Sequence, residues 1–475
     1  MRGGVNWVFI AVFTAYVLGG TLIALASRRY FLGTLREYYT SGGRMGALLT
    51  AGAYAATTYS AFMMIGLVGL SYNTGVGALG FELTYLASTV FLLSTLGYGV
   101  WRLSKERGWI SPSQMLSDLY GSRILGLAVA VVYLFAMLPY LAAQIRGLEI
   151  IFEYGGLGEG VALVVSALLI YGWIFVAGMW SVATTDLYQG VIMLASGLAY
   201  LAWILLALIP RLGADPAGVA AALSSSGYLG LTGFWTPTVF LAYTLPWMFF
   251  AVTNPQVVAK LYLPRDGRSY SRSVMYFFAY GLTYTLIAVL VGLLARGLAV
   301  LGRFPGSLPG DSVTPTLLAT MDPLLGSLVA TSIIAAAVST ANSIVLAVSG
   351  SVLTSASRRG NLLLARVIDA ILVAASTLLA WAKVGVIVDL SVLTSVILLP
   401  LAPVTIAGVL LQGKTGRAGR LVALLSVITG VSLATYYAAT LGPRKAFTTQ
   451  VLGIPVSGLA LLVSTIIMTV GVCLS

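Results

Sequence analysis

Ser339 and Thr340 set two adjacent hydroxyls on a run in which Ala336, Ser343, Ala347 and Gly350 recur at helical spacing, giving the helix one face of small and hydroxyl-bearing side chains. In a membrane such a face serves close helix packing. Its hydroxyl oxygens also suit a monovalent hard cation, which takes oxygen ligands and needs no carboxylate when backbone carbonyls complete its shell. Those carbonyls must come from helix that has unwound. Two stretches invite it. The run from Ala53 to Ala61 is built of small and hydroxyl-bearing residues and is followed by Gly66, Gly69 and Gly75. The other contains Pro246 and then Asn254-Pro255, and each proline lacks an N–H and so frees a carbonyl one turn earlier. A third kind of chemistry is offered by Glu82, a carboxylate deep in an apolar stretch. There it costs about 3 kcal/mol unless it is paired or faces water, which makes it a functional candidate.

The elements that must position these groups are membrane helices. Of the 475 residues 59% are hydrophobic and only 8% charged, with a mean hydropathy of +0.98. A soluble domain carries about 25% charged residues. Cys473 is the single cysteine and there is no histidine, which removes Ser–His and Cys–His catalysis and histidine-ligated metals. No nucleophile or metal cluster suggests an enzyme. At about 20 apolar residues per span, thirteen spans are expected, near 6–27, 46–71, 76–101, 124–152, 160–180, 186–210, 236–262, 272–300, 325–355, 362–382, 386–411, 419–441 and 449–474. The separations between spans five and six and between ten and eleven are the weakest. Span one is retained rather than cleaved, because its apolar core is long and Arg28, Arg29, Arg36 and Arg44 follow it. Connections after odd-numbered spans hold 18 of the 26 Lys and Arg, which places the N-terminus outside and the C-terminus in the cytoplasm. The +12 net charge follows from this topology and calls for no nucleic acid. Short interfacial helices are the most that the connections 102–123, 211–235 and 301–324 can hold.

One motif is discounted. Gly408 to Thr415 matches the phosphate-loop pattern G-x-x-x-x-G-K-[ST], but that pattern needs a strand, a turn and a helix of an α/β domain. Here it joins two apolar spans, so no nucleotide partner is expected. Arg146 and Glu149 read as an interfacial pair, and Asp369 and Asp389 as carboxylates near helix ends, facing protein or the interface.

Spans two and seven are five apart, and an interrupted helix heading each of two five-helix units is the signature of an inverted-repeat transporter with its site near the bilayer midplane. Glycine and proline are also simply common in membrane helices.

At this point the chain resembles the sodium/solute symporter family, the group that includes sodium:proline, pantothenate and sugar symporters. Thr57-Thr58-Tyr59-Ser60-Ala61-Phe62-Met63-Met64-Ile65-Gly66-Leu67-Val68-Gly69-Leu70 looks like its second-helix signature, and Ala335-Ala336-Ala337-Val338-Ser339-Thr340-Ala341-Asn342-Ser343 like its ninth-helix sodium segment. Ser181 to Gln189 resembles the opening of the sixth helix, and Asn254-Pro255, Lys260 and Pro264-Arg265-Asp266 resemble the end of the seventh and its basic loop. The resemblance covers nearly the whole chain.

It implies an all-α membrane protein with leucine-transporter-like inverted repeats at 46–210 and 236–411, an extra first helix and cytoplasmic loop in 1–45, and two C-terminal helices in 412–475. Sodium would be held by the carbonyls of Ala56, Tyr59 and Ala336 and the hydroxyls of Ser339 and Thr340. Asp186 would lie on the cytoplasmic route of the ion; a carboxylate at a helix N-terminus is the other reading of that residue. Ser60, Met63, Glu82, Trp247 and Phe250 would border the solute, Trp247 and Phe250 matching an aromatic gate, although core packing explains two aromatic residues equally well. The chain departs from the family where some members carry an aspartate at the position of Thr58, and where a histidine often stands in place of Gln256. In its distance from Gly66, Glu82 matches a sugar-contacting glutamate of sodium-coupled sugar transporters, but the glutamine those carriers have in the second helix is replaced here by Met63. The implied function is secondary active transport in the cell membrane: sodium-coupled uptake of a small organic solute, an amino acid or carboxylate before a sugar, by alternating access, with no organic cofactor. Proton coupling on the same fold is the alternative, and a sensor or channel a more distant one.

Overall fold

A computed structural model describes residues 6–356, 360–383, 387–412 and 416–473. The turn 413–415, which carries the Gly-Lys-Thr of the phosphate-loop-like run, lies outside the described residues, as do the side chains of Asp389 and Cys473. Among the described residues the chain is almost wholly helical. Nine helices are long and apolar enough to cross a bilayer, and two further pairs qualify if each is taken as one bent span. The last helix, Val456–Cys473, is shorter than the span expected at 449–474, because a small hairpin pairing Gln450–Val451 with Ile454–Pro455 precedes it.

Pro323–Ala356 is the spine. It runs 34 residues and its membrane window is 83% buried, against 28% for the first helix, Trp7–Ser27. Burial on nearly every side explains its composition, since Ala, Ser, Thr and Gly let neighbouring backbones close in. Helix Arg123–Tyr154 packs antiparallel to it: the Ser355 hydroxyl donates to the Gly126 carbonyl at one end, while Gly326 meets Tyr154 at the other. Helices Met179–Trp203 and Ala47–Thr58 close two more of its sides.

Both expected interruptions occur. Ala47–Thr58 ends at Tyr59 (φ −92°, ψ 86°) and the chain restarts as Phe62–Thr74, bent by 51°. Ser60 caps the restart, its hydroxyl accepting from the Phe62 amide at 3.2 Å. The new segment begins as a π-turn, and the Thr314 hydroxyl of the short helix Gly310–Leu318 donates to its Met64 carbonyl. The second broken span runs as Pro237–Met248, Phe250–Thr253, Pro255–Val258 and a 3-10 turn, Ala259–Tyr262. Asn254 is extended there (φ −85°, ψ 120°), as a residue before proline must be. A third bend, of 44°, divides Leu390–Leu398 from Leu401–Leu411.

Several boundaries differ from the sequence expectation. The chain reverses at Gly178, whose φ of +55° and ψ of −130° suit glycine alone, so the sixth span starts at Met179 rather than near 186. Asp186 therefore sits two turns inside a helix, and the N-terminal-carboxylate reading fails. Asp369 is likewise well inside Leu362–Trp381, facing protein, with the Tyr38 hydroxyl donating to it at 2.7 Å. Arg146 and Glu149 do pair, but Glu149 is wholly buried, so the pair is not confined to the interface. Helix Gly267–Val300 starts five residues early because Asp266 caps it. The Ser269 amide donates to Asp266 at 2.7 Å and holds its carboxyl below the usual range. The connecting segments carry the short helices Pro112–Tyr120, Pro216–Ser225 and Gly310–Leu318.

Candidate functional site

The last carbonyls of a helix have no partner within it. At the end of Ala47–Thr58, the Ala55 carbonyl is taken by the Tyr59 amide at 2.9 Å. The next two are met from the spine. Ser339 Oγ lies 2.8 Å from the Ala56 carbonyl and 3.0 Å from that of Ala336. Thr340 Oγ1 lies 3.0 Å from the Thr57 carbonyl and 3.4 Å from that of Ala56. The oxygens of Ala56, Ala336, Ser339 and Thr340 thus converge in one buried cluster across the break. Tyr59 sits at the break itself, and its ring turns toward Phe277, Tyr280 and Tyr284. The Thr57 carbonyl also belongs to the cluster. Sequence reasoning passed over it, though it follows Ala56 directly in the fraying turn.

Thr57 leads from this cluster to a buried charge pair. Its hydroxyl lies 2.8 Å from Ser343 Oγ and 3.4 Å from Asp186 Oδ2. Lys260 Nζ donates to the same carboxylate oxygen at 3.0 Å, with both side chains fully buried. Removing two charges from water is costly, and only their mutual attraction and remaining hydrogen bonds offset it. Lys260 comes from the 3-10 turn that ends the second broken span, so the pair ties that span to helix Met179–Trp203. The sequence offered Lys260 only as part of a basic loop. Nothing local marks a lysine whose chain folds back into the protein.

The expected solute-lining residues are all buried: Ser60, Met63, Glu82, Trp247 and Phe250 are each at most 3% exposed. Trp247 and Phe250 stack with ring centroids 5.3 Å apart, and Phe62 lies on Trp247 at 5.5 Å. Tyr85 stands edge-on to both, 5.5 Å from Trp247 and 5.7 Å from Phe250. Tyr85 follows Glu82 by one helical turn and so shares its face. The Glu82 Oε2 has no hydrogen-bond partner among the described residues. Sequence reasoning missed Tyr85, for which the i, i+3 spacing from Glu82 was the available signal.

A profile of the sodium:solute symporter family matches residues 38–430. The chain is 24% identical over 304 residues to the monocarboxylate transport permease protein of Rhizobium johnstonii, covering 61% of this chain and 60% of that one. It is 26% identical over 201 residues to the sodium/proline symporter of Staphylococcus aureus, covering 40% and 38% respectively. The matched segments thus span well under two thirds of these relatives' length. Among solved structures, a Na+-coupled sialic acid symporter in a substrate-bound outward-open state superposes with a TM-score of 0.81 at 15% identity, over 98% of both chains. A nucleobase-cation-symport-1 family transporter in a closed conformation gives 0.57 at 15% identity, over 92% of this chain and 95% of that one. These likenesses show that the chain shares the helical fold of those two proteins.

Proposed function

The chain belongs to the sodium:solute symporter family and is a multi-pass membrane protein, and from that premise we propose that it couples sodium entry to uptake of a small organic solute, an amino acid or a carboxylate, by alternating access. The observation that carries the reading is the oxygen cluster joining the first broken helix to the spine. Its five groups are neutral, oxygen-only and held by two separate elements. Sodium entering it would turn the Ser339 and Thr340 hydroxyls so that their lone pairs face the ion. It would then replace hydrogen bonds between the two elements with coordination from both.

In this mechanism the Ala56, Tyr59 and Ala336 carbonyls and the two hydroxyls hold the ion. With sodium bound, the break at Tyr59 is fixed and the residues after it, Ser60 and Met63, take up their solute-binding positions. Solute against Glu82, Trp247 and Phe250 then favours closure on the outer side. Sodium leaves toward the cytoplasm past Thr57 and Asp186, and the cluster relaxes to its hydrogen-bonded form. The repeats 46–210 and 236–411 supply the two halves that rock, with the N-terminus outside. Proton coupling on the same fold has one observation in its favour, the buried Glu82 Oε2 without a hydrogen-bond partner, and it requires sodium to be dispensable.

The test is equilibrium binding of radioactive sodium to purified protein. Wild type should bind saturably, and Ser339→Ala and Thr340→Ala should each raise the half-saturating concentration about tenfold or more, since each removes one ligand worth about 1.5 kcal/mol. Absence of saturable binding by wild type at millimolar sodium would eliminate sodium coupling.

A further inference from the structure

A connection between two membrane spans ordinarily runs over the surface, yet the one after the first helix turns into the protein. Thr34 caps a short helix, Leu35–Thr40, its hydroxyl accepting from the Glu37 amide at 3.2 Å. Arg36 stays exposed, while Glu37, Tyr38, Tyr39, Thr40 and Ser41 are each at most 5% exposed. Three long helices hold this segment. The Tyr38 hydroxyl donates to Asp369 of Leu362–Trp381 at 2.7 Å. Tyr39 lies against Gly350 of the spine, where the Ser349 hydroxyl donates to that of Tyr39 at 3.3 Å. Trp180, at the start of Met179–Trp203, donates to Glu37 at 2.7 Å. The Tyr38 carbonyl sits so close to Gly178 that a Cβ there would have no room.

After this helix come three successive left-handed residues, Ser41, Gly42 and Gly43, with φ of +50°, +64° and +66°. Met45 then pairs with the end of the second broken span, its amide donating to Leu263 and its carbonyl accepting from Arg265. Beyond Gly46 begins Ala47–Thr58, the half-helix whose last carbonyls belong to the oxygen cluster. The segment is thus a short lever joined by a glycine turn to the helix that carries the ion site. It also stands at the end of the charged path. Lys260 Nζ, bonded to Asp186, lies 3.5 Å from Met179 Sδ, and Met179 follows Gly178, where Tyr38 rests. The polar fixings of the lever are hydrogen bonds that water replaces when it lifts, so each holds it only modestly. Resting on the sodium-symport reading and its orientation, we propose that Leu35–Thr40 is the inner latch of the carrier, with Tyr38 and Asp369 as the positioning residues that hold it shut. The latch swings out about Gly42-Gly43 to open the exit of the ion to the cytoplasm. Sodium in the cluster fixes Ala47–Thr58 and so favours the closed latch.

The experiment follows thiol labelling of two reporters in the purified full-length protein, with Cys473→Ser as the background. Ser181, wholly buried and five residues before Asp186, supplies the inner reporter as Ser181→Cys. Thr331, 2% exposed near the other end of the spine, supplies the outer one as Thr331→Cys. Tyr38→Phe removes one hydrogen bond and should speed labelling of the inner reporter by a water-soluble maleimide about fivefold, with the outer reporter no faster. Asp369→Ala should act alike, and combining it with Tyr38→Phe should add nothing further. Asp369→Asn keeps an acceptor for Tyr38 and should stay near the parent rate. An unchanged inner rate in Tyr38→Phe would overturn the proposal. Equal acceleration of both reporters would overturn it too, because the protein would then be loosened as a whole. Wild type gives a second reading without any substitution. The amides of 35–44 should exchange with deuterium more slowly in sodium chloride than in potassium chloride. Identical exchange in the two salts, in protein that binds sodium, would remove the latch. If sodium does not bind at all, the symport reading falls, and the labelling rates still decide whether the segment is a latch.

Discussion

Among the described residues Lys260 and Asp186 form the most deeply enclosed charge pair, and the cost of breaking it is asymmetric. Lys260→Met leaves Asp186 buried with its remaining oxygen Oδ1 already unpartnered, which should cost about 3–5 kcal/mol. Adding Asp186→Asn removes the charge that was left behind, so the double variant should recover most of the melting temperature lost by Lys260→Met. Thermal melts of the four proteins in detergent give the coupling energy directly. A double variant no more stable than Lys260→Met would mean that the pair contributes nothing through its charges. If Asp186 also guides the ion out, the double variant should load sodium but release it more slowly in a stopped-flow efflux measurement. The residue scale also shows where sequence reading stopped. Ser339, Thr340 and Ala336 were legible because helical periodicity alone puts them on one face. Lys260 and the Thr57 carbonyl were not, because their partners stand 74 or more residues away in the chain, or arrive through the backbone rather than a side chain.

At the scale of elements, the first broken helix depends on a close approach by the short helix Gly310–Leu318. A Cβ on Gly69 would come within 2.3 Å of the Gly310 carbonyl oxygen, a backbone atom that cannot swing away. A Cβ on Gly310 would meet only ordinary contacts, at 3.7 Å from Gly69. The two substitutions should therefore differ sharply although they alter the same crossing. Gly69→Ala should destabilise by about 1–3 kcal/mol through overpacking, and Gly310→Ala should leave the melting temperature nearly unchanged. Gly69→Ala should also weaken sodium binding, because pushing Gly310–Leu318 away draws the Thr314 hydroxyl from the Met64 carbonyl and loosens the restart after the break. Equal melting temperatures for the two variants would show that the crossing relaxes freely. The breaks themselves were readable, since proline and clustered small residues announce them. The turn at Gly178 was not, because a single glycine between two apolar runs looks the same as one inside a helix. That one misplaced boundary is what made Asp186 look like a helix terminus.

For the whole molecule, the distribution of fixed charge sets how the membrane potential acts. In the proposed sodium site every group is neutral, Asp186 is cancelled by Lys260, and Glu82, buried without a partner, is neutral as a lone buried carboxyl must be. Under the proposed coupling, the site loaded with sodium and a zwitterionic solute would carry one positive charge, and the empty carrier would return without net charge. An interior-negative potential would then drive the loaded step. With a solute of net charge +1, the loaded site would carry two positive charges and the same step would be driven twice as strongly. One sodium crossing 100 mV releases about 2.3 kcal/mol, and a tenfold sodium gradient adds about 1.4 kcal/mol, which together sustain roughly 500-fold accumulation of a neutral solute. In proteoliposomes with equal sodium on both sides and a potassium diffusion potential set by valinomycin, the potential alone should concentrate solute. Proline should accumulate about tenfold for each 59 mV, because one net charge enters with it. Choline should accumulate about a hundredfold for the same step, because two enter. Proline accumulation unaffected by potential would rule out electrogenic sodium entry, and equal slopes for the two solutes would show that choline does not enter as a cation coupled to sodium.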